Sequence, residues 1–179
     1  LRPTGGPVRR QRFSSYIDHQ DDQDGNLLQQ FFALGTGLDA KWNSFLQFRY
    51  QYDKIRAGEQ VFPRHSGNAI VQFSPSRVIN QINVESHFGQ EIDFDNERLG
   101  HGFSLVLSAN VRPTDHLSLS FNGSRRFLDV DDPQRGNSRL FTARVDRVRL
   151  TYTFTARSFV RVIGQWVQTT RDPSLYVET

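Results

Sequence analysis

Four ionisable side chains, Glu85, His87, Glu91 and Asp93, fall at odd positions of a single stretch. On an extended chain they point to one side. Glu85 and His87, with Glu91 and Asp93 further along, could give a metal ion two or three ligands, but a second strand would have to complete the set. His101 falls on the opposite face in the same register. A hydrated wall explains these residues more simply, so no metal is assigned. Six residues of strand put Glu85 and Glu91 about 20 Å apart. An inverting pair of carboxylates needs roughly 6.5–9.5 Å. Serines are plentiful, yet no nucleophile elbow is present. No catalytic residue is assigned and no cofactor is implied.

The stretch that carries these groups is Val78 to Phe94. Its even positions, with Val78, Ile82, Val84, Phe88, Ile92 and Phe94, are mostly apolar. Its odd positions hold no large apolar side chain. That is a long strand with one greasy and one polar face. At about 17 residues it is two to three times the usual strand. Glu85, His87, Glu91 and Asp93 thus line a wall, joined by Arg49 and Asp53 from another two-faced stretch, Ser44 to Lys54. Arg147, Arg149 and Arg161 fall on the same side of later stretches. An acidic strand would then face an arginine-rich set across a lumen, which ion networks fill or which stays open as a pore.

Composition agrees with that picture. The 179 residues suffice for one domain and are 36% hydrophobic, yet include 15 Phe. Mean hydropathy is −0.57. Low hydropathy with many aromatics is what alternating strands give when half of each faces water; disorder would give few aromatics. Cysteine is absent, so neither disulfides nor thiolate metal sites arise. Only Lys41 and Lys54 are lysines among 22 basic residues, at a net charge of +3. No run approaches the ~20 apolar residues of a membrane helix. Without a starting Met or a signal segment, the chain is expected to come from a longer precursor.

In order, residues 1–8 read as a linker rich in Pro and Gly, and 9–179 as the β domain. Arg9 to Asp18 is a weak strand, followed by an acidic loop over Gln20 to Asn26. That loop fails the calcium pattern, which wants an acid at Gln20 and a Glu at Phe31. Leu27 to Leu38 alternates. Gly35 to Ala40 matches a dinucleotide fingerprint, but a strand follows instead of a helix, so the match is rejected. The turn Asp39 to Asn43 holds Trp42, and Ser44 to Lys54 follows. Arg56 to Asn68 reads as a long polar loop and Ala69 to Phe73 as a short strand. Leu99 to Arg112 and a strand from Leu117 come next, then a charged loop over Asp129 to Ser138. In Leu140 to Phe154 the apolar phase switches from odd to even, which predicts a β-bulge within Arg144 to Val148. Phe159 to Thr169 is the last strand, and Arg171 to Thr179 an open loop. Trp42, Tyr52, Tyr152 and Trp166 are placed as interfacial aromatics.

The fold class expected is all-β: an antiparallel up-and-down meander of about nine long strands, a transmembrane β-barrel or a segment of a larger one. Brief turns at Asp39, Ser74, Arg112 and Thr155 should alternate with longer loops at Gln20, Arg56 and Asp129. An odd strand number and no closing strand imply a piece of a longer barrel.

Several strings stand out together: Gln30 to Gly35, Lys41-Trp42-Asn43-Ser44, Ser74-Pro75-Ser76-Arg77, Arg112 to Leu117, and Leu140 to Asp172. They resemble the C-terminal β-barrel of bacterial envelope proteins that carry a carbohydrate-binding-module-9-like domain ahead of a membrane-associated barrel of unknown function. The resemblance implies placement in the bacterial outer membrane and a sugar-binding-like domain preceding Leu1. It also implies that the chain stops before the family's final strands. It brings no catalytic residues.

The expected role is a pore, export conduit or membrane anchor for an outer or periplasmic domain. Its partners would be the outer-membrane lipid bilayer, carbohydrate through the preceding domain, and other envelope proteins; nucleic acid is not among them. A soluble all-β barrel or sandwich that binds a ligand is the alternative, and an outer-membrane hydrolase a third reading.

Overall fold

The computed structural model describes residues 6 to 176. Among them the chain forms nine antiparallel strands in one sheet whose spatial order is the sequence order. They are β1 (Val8–Asp21), β2 (Leu27–Ala40), β3 (Ser44–Ala57), β4 (Gln60–Phe73), β5 (Ile79–Asp93), β6 (Arg98–Val111), β7 (Leu117–Asp132), β8 (Gly136–Thr155) and β9 (Ser158–Arg171). A 3-10 turn, Pro173–Leu175, follows. The meander is not closed: β1 and β9 are its two edges. Among the described residues no helix is long and apolar enough to cross a membrane, which says nothing of strands that cross. Residues 1–5 of the expected linker lie outside the described residues, and β1 already begins at Val8.

Directly opposed residues share a face, so the ladder sorts the side chains. One face holds the buried Asp53, Ser66, Ser120, Leu128 and Val130; we call it inner. The outer face exposes large apolar groups, among them Leu34 at 49%, Leu46 at 47%, Phe48 at 46% and Val148 at 42%. The alternation seen in Val78 to Phe94 thus extends over most of the sheet, interrupted by a bulge at Asn80 and by Val106, Val145, Ile163 and Val167 on the inner face.

Four expectations need correction. The long loop over Arg56 to Asn68 does not exist: Gly58 and Glu59 make the turn, and β4 occupies the rest. Its polar residues belong to an inner face, where Arg64 stands opposite Asp53 and Asn68 opposite Arg49. Pro63 is tolerated because β4 pairs with β5 only from Ser66 onward, leaving its missing N–H on an unpaired side. His65 N donates instead to the Gln90 side chain, at 2.9 Å. Gly89 makes the divergence possible. Its φ is +126°, and a Cβ there would lie 2.7 Å from Ser66 Cα.

The alternation of short and long connections also fails, since no connection exceeds five residues at either end. Asp129 to Ser138 lies mostly within β7 and β8. The bulge is displaced. The ladder runs without interruption through Arg144 to Val148 on both sides. Val145 therefore takes the inner face and Val148 the outer. The extra residue in β8 is Leu140, where Leu128 pairs with Phe141 and Asp129 with Arg139.

The chain after β9 turns back rather than running free. Asp172 caps the 3-10 turn by accepting from Ser174 N at 3.1 Å, and Leu175 buries with Leu128, Val130 and Leu140. Residues 177–179 of the expected loop lie outside the described residues.

Candidate functional site

The ladder brings all nine wall residues to the inner face. Arg49 lies opposite Asn68, which lies opposite His87. Arg147 connects through Asn122 and Ser108 to Asn83, in register with Glu85 and His87. Arg149 opposes Ser120, and Arg161 opposes Thr151. Asp53, Glu91 and Asp93 share the same side of β3 and β5.

The carboxylates do not meet the expected arginines. Asp53, at 1% exposure, takes Arg64 Nε at 2.8 Å and Nη2 at 2.6 Å. Asp93, also buried, takes Arg98 Nε at 2.9 Å, and Glu91 pairs with Arg126. Arg64 was missed because it sat in the supposed loop Arg56 to Asn68, and Arg98 and Arg126 because neither falls in the patterned apolar part of its strand. The signal available was pairing: a carboxylate placed on an inner face needs a cation on a neighbouring strand.

The consequence is a divided wall. One end is filled by closed ion pairs, as a packed lumen would be, and at the opposite end Asp39 pairs with Arg10 and Arg12 beside the β2–β3 turn. Toward the other end, Arg49, Arg147, Arg149 and Arg161 have no ion-pair partner among the described residues, and neither does Glu85. Positive potential therefore dominates that part of the face. No group of three His, Asp or Glu among the described residues is placed to hold a metal ion.

The outer face carries a charged cluster in mid-strand, besides the pair Arg139 and Asp129 near the β7–β8 turn. Asp146 opposes Gly123, and Arg144 opposes Arg125; Arg144 and Asp146 pair with each other. Leu105, Leu107 and Phe121 surround Arg125 and Asp146. Of the four aromatics, Trp42 sits in the β2–β3 turn at 70% exposure, and Tyr152 lies near the end of β8 at the same edge of the sheet. Tyr52 and Trp166 lie in the bodies of β3 and β9.

At the β1–β2 turn, Asp22 Oδ1 accepts from Asn26 N at 2.8 Å and Asp24 N at 3.0 Å. The Asn26 backbone bond, first among several, holds that carboxyl below the ordinary aspartate range. The acidic residues there close a turn. Gly35 to Ala40 ends a strand and leads to another strand, so the dinucleotide pattern has no helix to serve.

The chain matches no family model, no curated protein and no solved structure.

Proposed function

We propose that this chain forms the wall of a β-barrel in the bacterial outer membrane and serves as a pore, export conduit or anchor for an outer or periplasmic domain. The observation that carries the reading is the sheet's two-sidedness. A broad apolar face is left uncovered while the opposite face carries the charges. Strands of 14 to 20 residues suit it, because 14 residues rise about 46 Å and a tilted crossing of a ~30 Å hydrocarbon core needs 9–11. The strings quoted above, similar to a membrane-associated envelope barrel, point the same way. On this reading the outer face contacts lipid, and Arg49, Arg147, Arg149, Arg161 and Glu85 line the lumen with the ion-paired Asp53, Glu91 and Asp93. Carbohydrate would be engaged through a preceding domain.

Planar-bilayer recording of the complete precursor separates the roles. A pore conducts, and the unpaired arginines make it favour anions. A folded, membrane-inserted protein without conductance is an anchor.

A soluble all-β binding barrel is the second reading, and one observation favours it. Arg125, Arg144 and Asp146 interrupt the outer face in mid-strand, where a water-exposed surface would carry them at no cost.

A further inference from the structure

At the end of the inner face away from the closed ion pairs, β5 to β9 enclose a cleft of about 340 Å³. Arg112, Arg149 and Arg161 line it together with Asn80, Gln81 and Asn110, and no carboxylate is in its lining. None of the three arginines has an ion-pair partner among the described residues. Arg149 Nη2 is steered by the buried Ser120, whose Oγ accepts from it at 3.3 Å. Guanidinium groups left without carboxylates are donors waiting for an oxyanion.

A second, independent feature lies in the same cleft. Asn80 is the extra residue of a bulge, between the pairs Ile79 with Val111 and Gln81 with Asn110. Its Oδ1 is buried and has no hydrogen-bond partner. Such an orphaned acceptor is rare and costly unless something donates to it. A fully deprotonated oxyanion has no proton to give. A ligand with a charged group and a hydroxyl serves both needs.

We propose that this cleft binds a hydroxyl-bearing oxyanion, such as hydrogen phosphate, a phosphate monoester or a hydroxy acid. The arginines take the charged oxygens, and Asn80, whose Oδ1 is covered in this side-chain conformation, turns to accept from the hydroxyl. The cleft faces away from the apolar surface, so a free solute rather than a lipid headgroup is its occupant. This inference needs a hydrated inner face and does not depend on conduction.

Isothermal titration of the folded full chain with inorganic phosphate and with sulfate, at pH 6 and low ionic strength, tests it. Phosphate carries a proton at that pH and sulfate does not. Saturable phosphate binding is expected, at least tenfold tighter than sulfate. Arg149→Gln with Arg161→Gln, and separately Arg112→Gln, should each weaken phosphate tenfold or more. Asn80→Leu should bring phosphate and sulfate to equal affinity. Arg157→Gln, in the β8–β9 turn at the same end but outside the cleft, should change nothing. Absence of saturable phosphate binding overturns the proposal. So does unaltered binding in the arginine variants, or sulfate bound as tightly as phosphate by the unmodified chain.

Discussion

Arg64 grips Asp53 through two parallel hydrogen bonds, of 2.8 and 2.6 Å, between directly opposed residues of β4 and β3. Asp53 is almost wholly buried and Arg64 is partly buried, at 16% exposure. Gln51 Nε2 adds a third bond to the same carboxylate at 3.0 Å. Removing one partner strands the other charge away from water. Arg64→Leu is therefore expected to lower the unfolding free energy by about 3–5 kcal/mol. Glu85→Gln, at an exposed position without an ion pair, should move it by less than about 1 kcal/mol. Urea titration of both variants checks this, and equal midpoints would contradict the pairing.

The outer-face pair Arg144 and Asp146 gives a sharper contrast. In lipid, a lone arginine near the middle of a strand costs about 2–4 kcal/mol. Asp146→Ala should thus impair folding into vesicles, and replacing both outer-face arginines of the cluster as well, Arg125→Leu with Arg144→Leu, should restore it. On a water-exposed face neither change would matter. Densitometry of the folded and unfolded bands in unboiled gels reads the difference.

Gly89→Ala is expected to destabilise the sheet by more than about 1 kcal/mol. An alanine resists a φ of +126°, and its Cβ would press on the β4 backbone at Ser66. A loss in thermal midpoint without loss of strand signal in circular dichroism is the expected outcome. An unchanged midpoint would mean that β4 and β5 do not approach as described.

The turn after β9 should respond to acid. Hydrogen bonds from the Ser174 side chain and backbone, with Arg135 nearby, hold the Asp172 carboxyl below its ordinary 3.8. A depressed value means that the carboxylate's contribution is present above the ordinary range and is lost as pH falls through the lowered one. The ¹⁵N shift of the Ser174 amide should titrate with a midpoint below 3.8, and Asp172→Asn should abolish that titration. A midpoint at or above 3.8 would contradict the cap.

Much of the fold is written in period-2 patterning, and it was legible wherever the apolar half of a strand is continuous. Ser44 to Lys54, Leu99 to Arg112 and the part of Val78 to Phe94 beyond Asn80 read correctly for that reason; a bulge at Asn80 shifts the phase ahead of it, so that Ile79 rather than Asn80 takes the outer face, opposite Val111. β4 was not legible, because Pro63, His65 and Gly67 thin its outer face and Arg64, Ser66 and Asn68 fill its inner one. The phase change in β8 was seen and misplaced. Asp146 reaches the outer face without a bulge because Arg144, two residues away on that face, neutralises it. The extra residue goes to Leu140, whose side chain gains burial against Leu128, Val130 and Leu175. The inner-face residues were legible as a set. Their partners were not, since Arg64, Arg98 and Arg126 are identified only by cross-strand register.

The central claim is that the outer face meets lipid and the inner face water. The most direct measurement compares Val84→Arg with Glu85→Ala, adjacent residues on opposite faces, in folding into lipid vesicles followed by unboiled gel electrophoresis. A single arginine on the lipid side costs about 2–4 kcal/mol near the midplane. The account predicts that Val84→Arg abolishes most of the heat-modifiable, vesicle-bound form and that Glu85→Ala leaves it intact. Equal yields from the two variants would contradict it.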